Sequence, residues 1–213
     1  MDVAIPATKG AEDMRTNPYA LGGWLSIAAA VLFPIIFVAE IIQAVIAREV
    51  AGYDGPLIGP SELLGLLLTA MSVYILVVLR RFFNEHYQYH GIDMLITLAI
   101  VWNILFQVVG LSTEFLLMLA WPVDERVVTV IRLVMLGSFM LCVGIIDILT
   151  GVRLMQSSQV FSQLVKVFAV LSLFMGILEV SILLSPLALL LLPVNYVILG
   201  LILLRDQAEA EFV

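Results

Sequence analysis

Residues 102–121, WNILFQVVGLSTEFLLMLAW, combine an apolar run of membrane-spanning length with a polar stripe. At about 100° per residue, a helix places Asn103, Gln107, Gly110 and Glu114 on one narrow face. An unsatisfied amide or carboxylate in hydrocarbon costs several kcal/mol, so this face needs partners. The stretch therefore predicts a helix whose polar face is turned toward other segments of the chain.

The composition of the whole chain supports the same interpretation. The 213 residues are 62% hydrophobic and 13% charged, with a mean hydropathy of +1.13. Soluble domains are about 45–50% apolar and about 25% charged. We therefore expect an all-α integral membrane protein with no soluble domain.

The distribution of charge excludes one class of partner. The formal net charge is −7, and much of it lies in short tails and loops, where solvated acidic residues are common. No run of Lys and Arg exists to bind phosphates, so a nucleic-acid partner is excluded. The single cysteine, Cys142, rules out an intrachain disulfide and leaves the redox compartment open.

Six segments are long enough to cross a hydrocarbon core of ~30 Å, which takes roughly 20 helical residues. Ser185 and Pro186 form the only break between the last two segments, so Pro186 is the expected tip of a tight hairpin. The predicted fold is a compact bundle of six antiparallel transmembrane helices. The expected spans are residues 23–47, 61–79, 92–121, 127–150, 164–184 and 187–204.

Two tails flank the predicted bundle. Residues 1–22 contain no apolar core of the kind that a signal peptide requires, so we expect a cytosolic N-terminal tail followed by a retained span. Residues 206–213 form an acidic C-terminal tail. With six spans, seven of the ten Lys and Arg residues fall on the side of the two termini. This bias predicts cytosolic termini, and the expected location is the plasma membrane.

Several polar residues are predicted to lie inside the outer half of the bundle. Glu40 and Glu114 each precede the outer end of a span by seven residues, and Glu179 precedes the expected hairpin tip Pro186 by seven, which is ~10 Å of helix in each case. Arg132 reaches ~9 Å from the same side. Charged groups at such depth seldom face lipid. The predicted binding residues are Glu40, Glu62, Asn103, Gln107, Glu114, Arg132 and Glu179.

These residues favour a non-enzymatic carrier or receptor-like protein whose pocket binds a cation, protons or a small cationic ligand. Crowded carboxylates in a medium of low dielectric constant also hold protons more tightly. In the competing interpretation the same groups are structural, because Glu and Arg near an interface can pair or extend toward water.

A second function is compatible with the same sequence. Gly137, Gly144 and Gly151 recur every seven residues in the fourth span, as expected for a helix-packing face. The chain could therefore be an accessory or scaffolding subunit that recognises partner transmembrane helices, or a homo-oligomer. In either case the lipid bilayer is the expected surrounding.

Three further features carry less weight. Asp147 lies near the inner end of the fourth span and is expected to form a structural ion pair with Arg153, Lys166 or Arg80. The alternative is a second proton-binding group below the outer layer of acids. His86 and His90 lie in an aromatic linker, where an interfacial belt is a better explanation than a metal site. No nucleophile–histidine pair, haem ligand pair, HExxH or phosphate loop is present. We therefore expect no cofactor, no metal and no enzymatic activity.

Overall fold

The computed structural model describes residues 17–51, 60–119, 124–181 and 183–210. Within these ranges, the side chains at 40, 41, 43–51, 60–62, 117, 118, 125, 128 and 206–210 are not described. Over the described part of the chain the structure is all helical. It has six helices and no strands.

The six predicted helices are confirmed, and most are longer than the expected spans. Each contains a stretch that is long and apolar enough to cross a membrane. The helices are α1 Ala20–Ala51, α2 Pro60–His86, α3 Asp93–Leu119, α4 Glu125–Gln156, α5 Gln163–Val180 and α6 Ser185–Ala210.

Helix ends account for the main differences from the prediction. Residues 80–86 were expected in a linker, but α2 continues to His86, and Arg81 pairs with Glu85 one turn later at 2.7 Å. α4 continues beyond residue 150 to Gln156, and α6 continues to Ala210, into the segment expected as a tail. Polar residues extend these helices because exposed i,i+4 pairs and good helix formers keep the backbone helical.

The hairpin between α5 and α6 is also placed differently. α5 ends at Val180, and its C-cap residue Ser181 donates its backbone N–H to the carbonyl of Ile177. The turn therefore precedes Ser185, and Pro186 lies in the first turn of α6 rather than at the tip. Proline fits there because its missing N–H would have no helical partner in the first turn.

The helices form a closed ring. Each helix packs against its neighbours in the sequence, and α6 packs back against α1. Gly23 of α1 faces Gly200 of α6, where a Cβ on Gly23 would meet the Gly200 carbonyl at 3.1 Å. Ser26 is fully buried at this seam and donates to the carbonyl of Tyr196 at 2.7 Å.

One end of the ring, which we call the Tyr19 end, is closed by aromatic side chains. Phe82 and Phe83 are fully buried there and contact Tyr19, Tyr87 and Phe161 edge-on or tilted. The Tyr19 hydroxyl donates to Glu85 at 2.6 Å. The core of the molecule is therefore concentrated at this end, whereas the outward faces of the helices carry exposed Leu, Val and Ile.

Candidate functional site: a central cavity with two acids

A cavity of about 410 Å³ lies inside the ring. All six helices contribute to its lining, which is largely apolar. Its size and its few polar groups are typical of small-molecule sites. The polar side chains in the lining are Thr69, Ser72, Asn103, Gln107, Asp147, Glu179, Asn195 and Tyr196.

Two glycines bring α4 and α5 into backbone contact beside this cavity. A Cβ on Gly176 would lie 2.5 Å from the carbonyl oxygen of Gly144, and a Cβ on Gly144 would lie 2.8 Å from that of Gly176. Only a residue without a side chain permits such an approach, as at other closely packed membrane helices. This crossing sets the register of the two helices.

The two acids of the lining lie next to this crossing. Asp147 follows Gly144 by three residues and Glu179 follows Gly176 by three, so each lies one helical turn from its glycine. A Cβ on Gly144 would lie 2.9 Å from the Cβ of Glu179, so Glu179 packs against α4 one turn from Asp147, and both acids line the same cavity. The glycine crossing therefore holds two acidic groups together inside the bundle.

Glu179 is the most buried ionisable side chain in this group. It is 6% exposed, and its Oε2 atom is buried without a hydrogen-bond donor in the described part of the chain. Asp147 forms no ion pair or hydrogen bond with any described residue. The lining contains no Lys, Arg or His among the described side chains. A buried carboxylate without a partner is costly.

The neutral polar groups of the cavity are mostly satisfied by each other. The Thr69 hydroxyl donates to Oε1 of Gln107 at 3.1 Å. The hydroxyls of Ser72 and Tyr196 share a hydrogen bond of 2.7 Å, and Asn103 donates to the carbonyl of Ala99 at 2.8 Å. These contacts fix side chains of α2, α3 and α6 around the space that the two acids face.

Aromatic rings form part of the same lining. Phe106 and Phe139 lie 4.1 Å apart between ring centroids, and Phe33 and Phe37 stack with nearly parallel rings. Aromatic faces attract organic cations through their quadrupole. The cavity thus combines negative charge with surfaces that suit the apolar part of a cation.

The predicted layer of acids divides into two places. Asn103, Gln107 and Glu179 line the cavity together. Glu114 and Arg132 instead form a bidentate ion pair, with 2.9 Å and 2.8 Å between nitrogen and oxygen, between α3 and α4. Neither residue lines the cavity, so Arg132 is the counter-charge of Glu114 and not of Glu179.

Glu179 and the pair of Glu114 with Arg132 lie at different levels along the helices. The expected common layer assumed that all spans end at the same level. However, Glu179 packs beside Gly144, and Arg132 precedes Gly144 by twelve residues, which is ~18 Å along α4. Two groups separated by that distance cannot share one site. The side chains of Glu40 and Glu62 lie outside those the structure describes, so their predicted roles stay predictions.

Asp147 differs most from its expected role. Arg80, one of its expected partners, pairs instead with Asp93 at 3.4 Å. Asp147 joins Glu179 in the cavity because α4 crosses α5 with its glycine face, which turns the adjacent acid inward. The sequence does contain a signal for this pair. Residues 144–147 read GIID and residues 176–179 read GILE, so the same glycine-to-acid spacing occurs on two consecutive helices.

The linker histidines have ordinary partners. His90 contacts Asp93 at 3.1 Å through Nδ1, and His86 stacks on Phe82. Among the described residues, no group of three His, Cys, Asp or Glu side chains converges as a metal site would require.

The fold and the cavity define a class: a six-helix ring around an acidic internal site. No family model, curated protein or solved structure matches the chain.

Proposed function

We propose that this chain is an integral membrane protein that binds a small organic cation in its central cavity, as a carrier or receptor does. The observation that supports this most directly is the pair Asp147 and Glu179, two acids in a lining without a basic side chain among the described residues. Six helices with apolar outward faces support the membrane location. The excess of Lys and Arg on one side supports cytosolic termini, and the plasma membrane remains our proposed location.

The ligand class follows from the chemistry of the lining. An anion would meet two acidic groups, and a neutral ligand would leave them without a counter-charge. A small inorganic cation would be coordinated by oxygen atoms on several sides, whereas most of this lining is apolar. An organic cation suits both the acids and the apolar lining, because its charge pairs with the acids and its apolar body contacts Phe106 and Phe139.

The proposal is tested by equilibrium binding to the purified protein in lipid nanodiscs. The probe is tetraphenylphosphonium, and tetraphenylborate is the control, because the two ions have the same shape and opposite charge. We expect saturable binding of the cation alone. Asp147→Asn and Glu179→Gln should each weaken it about 30-fold or more, since loss of one partner of a buried charge pair costs ~2 kcal/mol or more.

Glu114→Gln is the matched control variant. It makes the same chemical change in an acid that lies outside the cavity, so binding should keep its wild-type affinity. Equal binding of both ions, or equal affinity in all three variants, would show partition into lipid and refute the proposal.

A second candidate, an accessory subunit or homo-oligomer, is supported by a different observation. In the most apolar stretch of each helix, only 6% of the residues of α3 and 11% of those of α4 are buried, compared with 44% in α5. These two helices therefore have the largest faces available to a partner helix. Purification in mild detergent tests this: a stoichiometric second chain supports it, and a monomer in both nanodiscs and detergent counts against it.

Two of the three glycines of α4 already pack within the protein, so they do not form a surface for a partner helix. Gly144 and Gly151 are already packed against α5, where a Cβ on Gly151 would lie 2.6 Å from the Ala169 carbonyl. A Cβ on Gly137 would meet nothing within 4 Å. One open glycine is too small a feature to define a partner surface.

A further inference from the structure

No positive side chain of the described lining balances the charge of the two acids in the cavity. Asp147 and Glu179 line the same largely apolar cavity, and Glu179 packs against Gly144, one turn from Asp147. Two negative charges in such surroundings repel each other, and each also loses the hydration that water would supply. A site of this kind retains a proton when no cation is bound.

The surroundings offer no alternative means of neutralising the pair. Oε2 of Glu179 has no hydrogen-bond donor among the described residues. The hydroxyl of Tyr196, the titratable group that α6 contributes to the described lining, is hydrogen-bonded to that of Ser72. The described lining side chains of α1, α2 and α3 include no titratable group, and the side chains of Glu40 and Glu62 are not described.

The backbone limits how far the two acids can move apart. Gly144 and Gly176 hold α4 and α5 in direct contact, and Asp147 and Glu179 follow these glycines by three residues each. The repulsion therefore cannot be relieved by separating the helices without breaking this crossing. Protonation or binding of a cation remains the way to reduce it.

We propose that Asp147 and Glu179 share one proton in the empty cavity, and that an organic cation displaces this proton when it binds. This inference rests on the proposed function and extends it from cation binding to cation–proton exchange. The balance is simple. The singly protonated pair carries one negative charge, the cation brings one positive charge, and one proton leaves to solvent. The pair then carries two negative charges beside one bound cation, so the exchange conserves charge.

The competition has a definite pH dependence. Wherever the empty pair holds the proton, a tenfold rise in proton concentration should raise the apparent Kd of the cation tenfold, because both compete for one site. Once the empty pair has lost the proton at higher pH, the affinity should become independent of pH. This behaviour distinguishes exchange from binding to a permanently charged site.

Two measurements on the wild-type protein in nanodiscs test the inference. Tetraphenylphosphonium has no titratable proton, so any proton released during its binding comes from the protein. Release is followed with a pH-indicator dye in weak buffer, and the apparent Kd is measured from pH 5 to pH 9, a range chosen to span carboxylate titration in buried sites. We expect about one proton per bound cation at the lower pH values, and a Kd that falls about tenfold per pH unit there.

Variants identify the source of the proton. Asp147→Asn and Glu179→Gln remove the repulsion between the two acids, so the remaining acid should hold a proton less tightly, and a cation that still binds should release less proton than in the wild type at the same pH. Glu114→Gln should release as much as the wild type. The wild-type measurements stand even if a cavity variant fails to fold.

The possible results separate the two proposals. Saturable binding with no proton release and a constant Kd would overturn the exchange and leave the proposed function intact. Absence of saturable binding at every pH would overturn both. Proton release that persists unchanged in both cavity variants would show that the proton comes from another group, and would also refute this inference.

Discussion

Substituting Gly176 with alanine tests the contact that brings the two acids together. The new Cβ would lie 2.5 Å from the Gly144 carbonyl oxygen and 2.7 Å from the backbone nitrogen of Ile148. Both obstructing atoms belong to the backbone of α4, so no side-chain rotation can relieve the clash, and α4 and α5 must separate.

The expected magnitude follows from two opposing effects. Overpacking a well-packed contact costs ~1–3 kcal/mol. Alanine gains ~1 kcal/mol over glycine in helix propensity, which offsets only part of this cost. Gly176→Ala should therefore lower the free energy of unfolding by up to ~2 kcal/mol. Because the separation also moves Glu179 away from Asp147, binding of tetraphenylphosphonium should weaken as well.

Gly137→Ala is the matched control, since a Cβ there meets nothing within 4 Å. It should leave the free energy of unfolding unchanged or raise it by up to ~1 kcal/mol. The assay is reversible unfolding in mixed micelles with increasing sodium dodecyl sulfate, followed by helical circular dichroism. If Gly176→Ala and Gly137→Ala unfold at the same detergent fraction, α4 and α5 are not in backbone contact at Gly176, and this contact does not hold the two acids together.

The remaining predictions concern two contacts outside the cavity. Burial and the hydrogen bond to Glu85 raise the pKa of Tyr19 from 10.0 to about 12. The contribution of the protonated Tyr19 hydroxyl to the free energy of unfolding should therefore be complete below pH 10, and it should be lost as the pH rises through about 12. In an ultraviolet titration, Tyr19→Phe should remove a tyrosinate that forms near pH 12, and loss of one that forms near pH 10 would contradict this. For the ion pair between Glu114 and Arg132, Arg132→Gln should destabilise the protein more than the double variant Glu114→Gln with Arg132→Gln, because only the single variant leaves an unpaired carboxylate. A double-mutant cycle in the same unfolding assay should give a coupling energy of about 1 kcal/mol, and a value of zero would refute a stabilising pair.

The helices could be predicted because their signal is local. A run of roughly 20 apolar residues must be helical in a membrane, since every backbone polar group needs a partner within its own segment. Their ends could not be predicted to the same precision. Hydropathy stops at Arg80, whereas the helix continues to His86, because a helix that leaves the apolar region remains stable through contacts such as Arg81 with Glu85.

The site was predictable only in part, for reasons that are also physical. The face of α3 correctly placed Asn103 and Gln107 toward the interior, since helical periodicity fixes which residues share a face. The pairing of Glu179 depends on how far each helix extends past its neighbour, and no single helix contains that information. The contact between Gly144 and Gly176 fixes how far α5 extends past α4. For this reason Asp147 of α4, and not Glu114 of α3, lies near Glu179.

The closure of the ring by α6 against α1 has a consequence for how the protein is made. The contact between Ser26 and Tyr196 joins residues 170 positions apart in the chain. The face of α1 that contacts α6 therefore stays exposed until α6 has been synthesised. Until then, Gly23 and the buried hydroxyl of Ser26 have no partner from α6, and the acids of α4 and α5 lie in a structure open on one side. All six helices contribute to the lining of the cavity, so the lining is complete only after α6 has been synthesised.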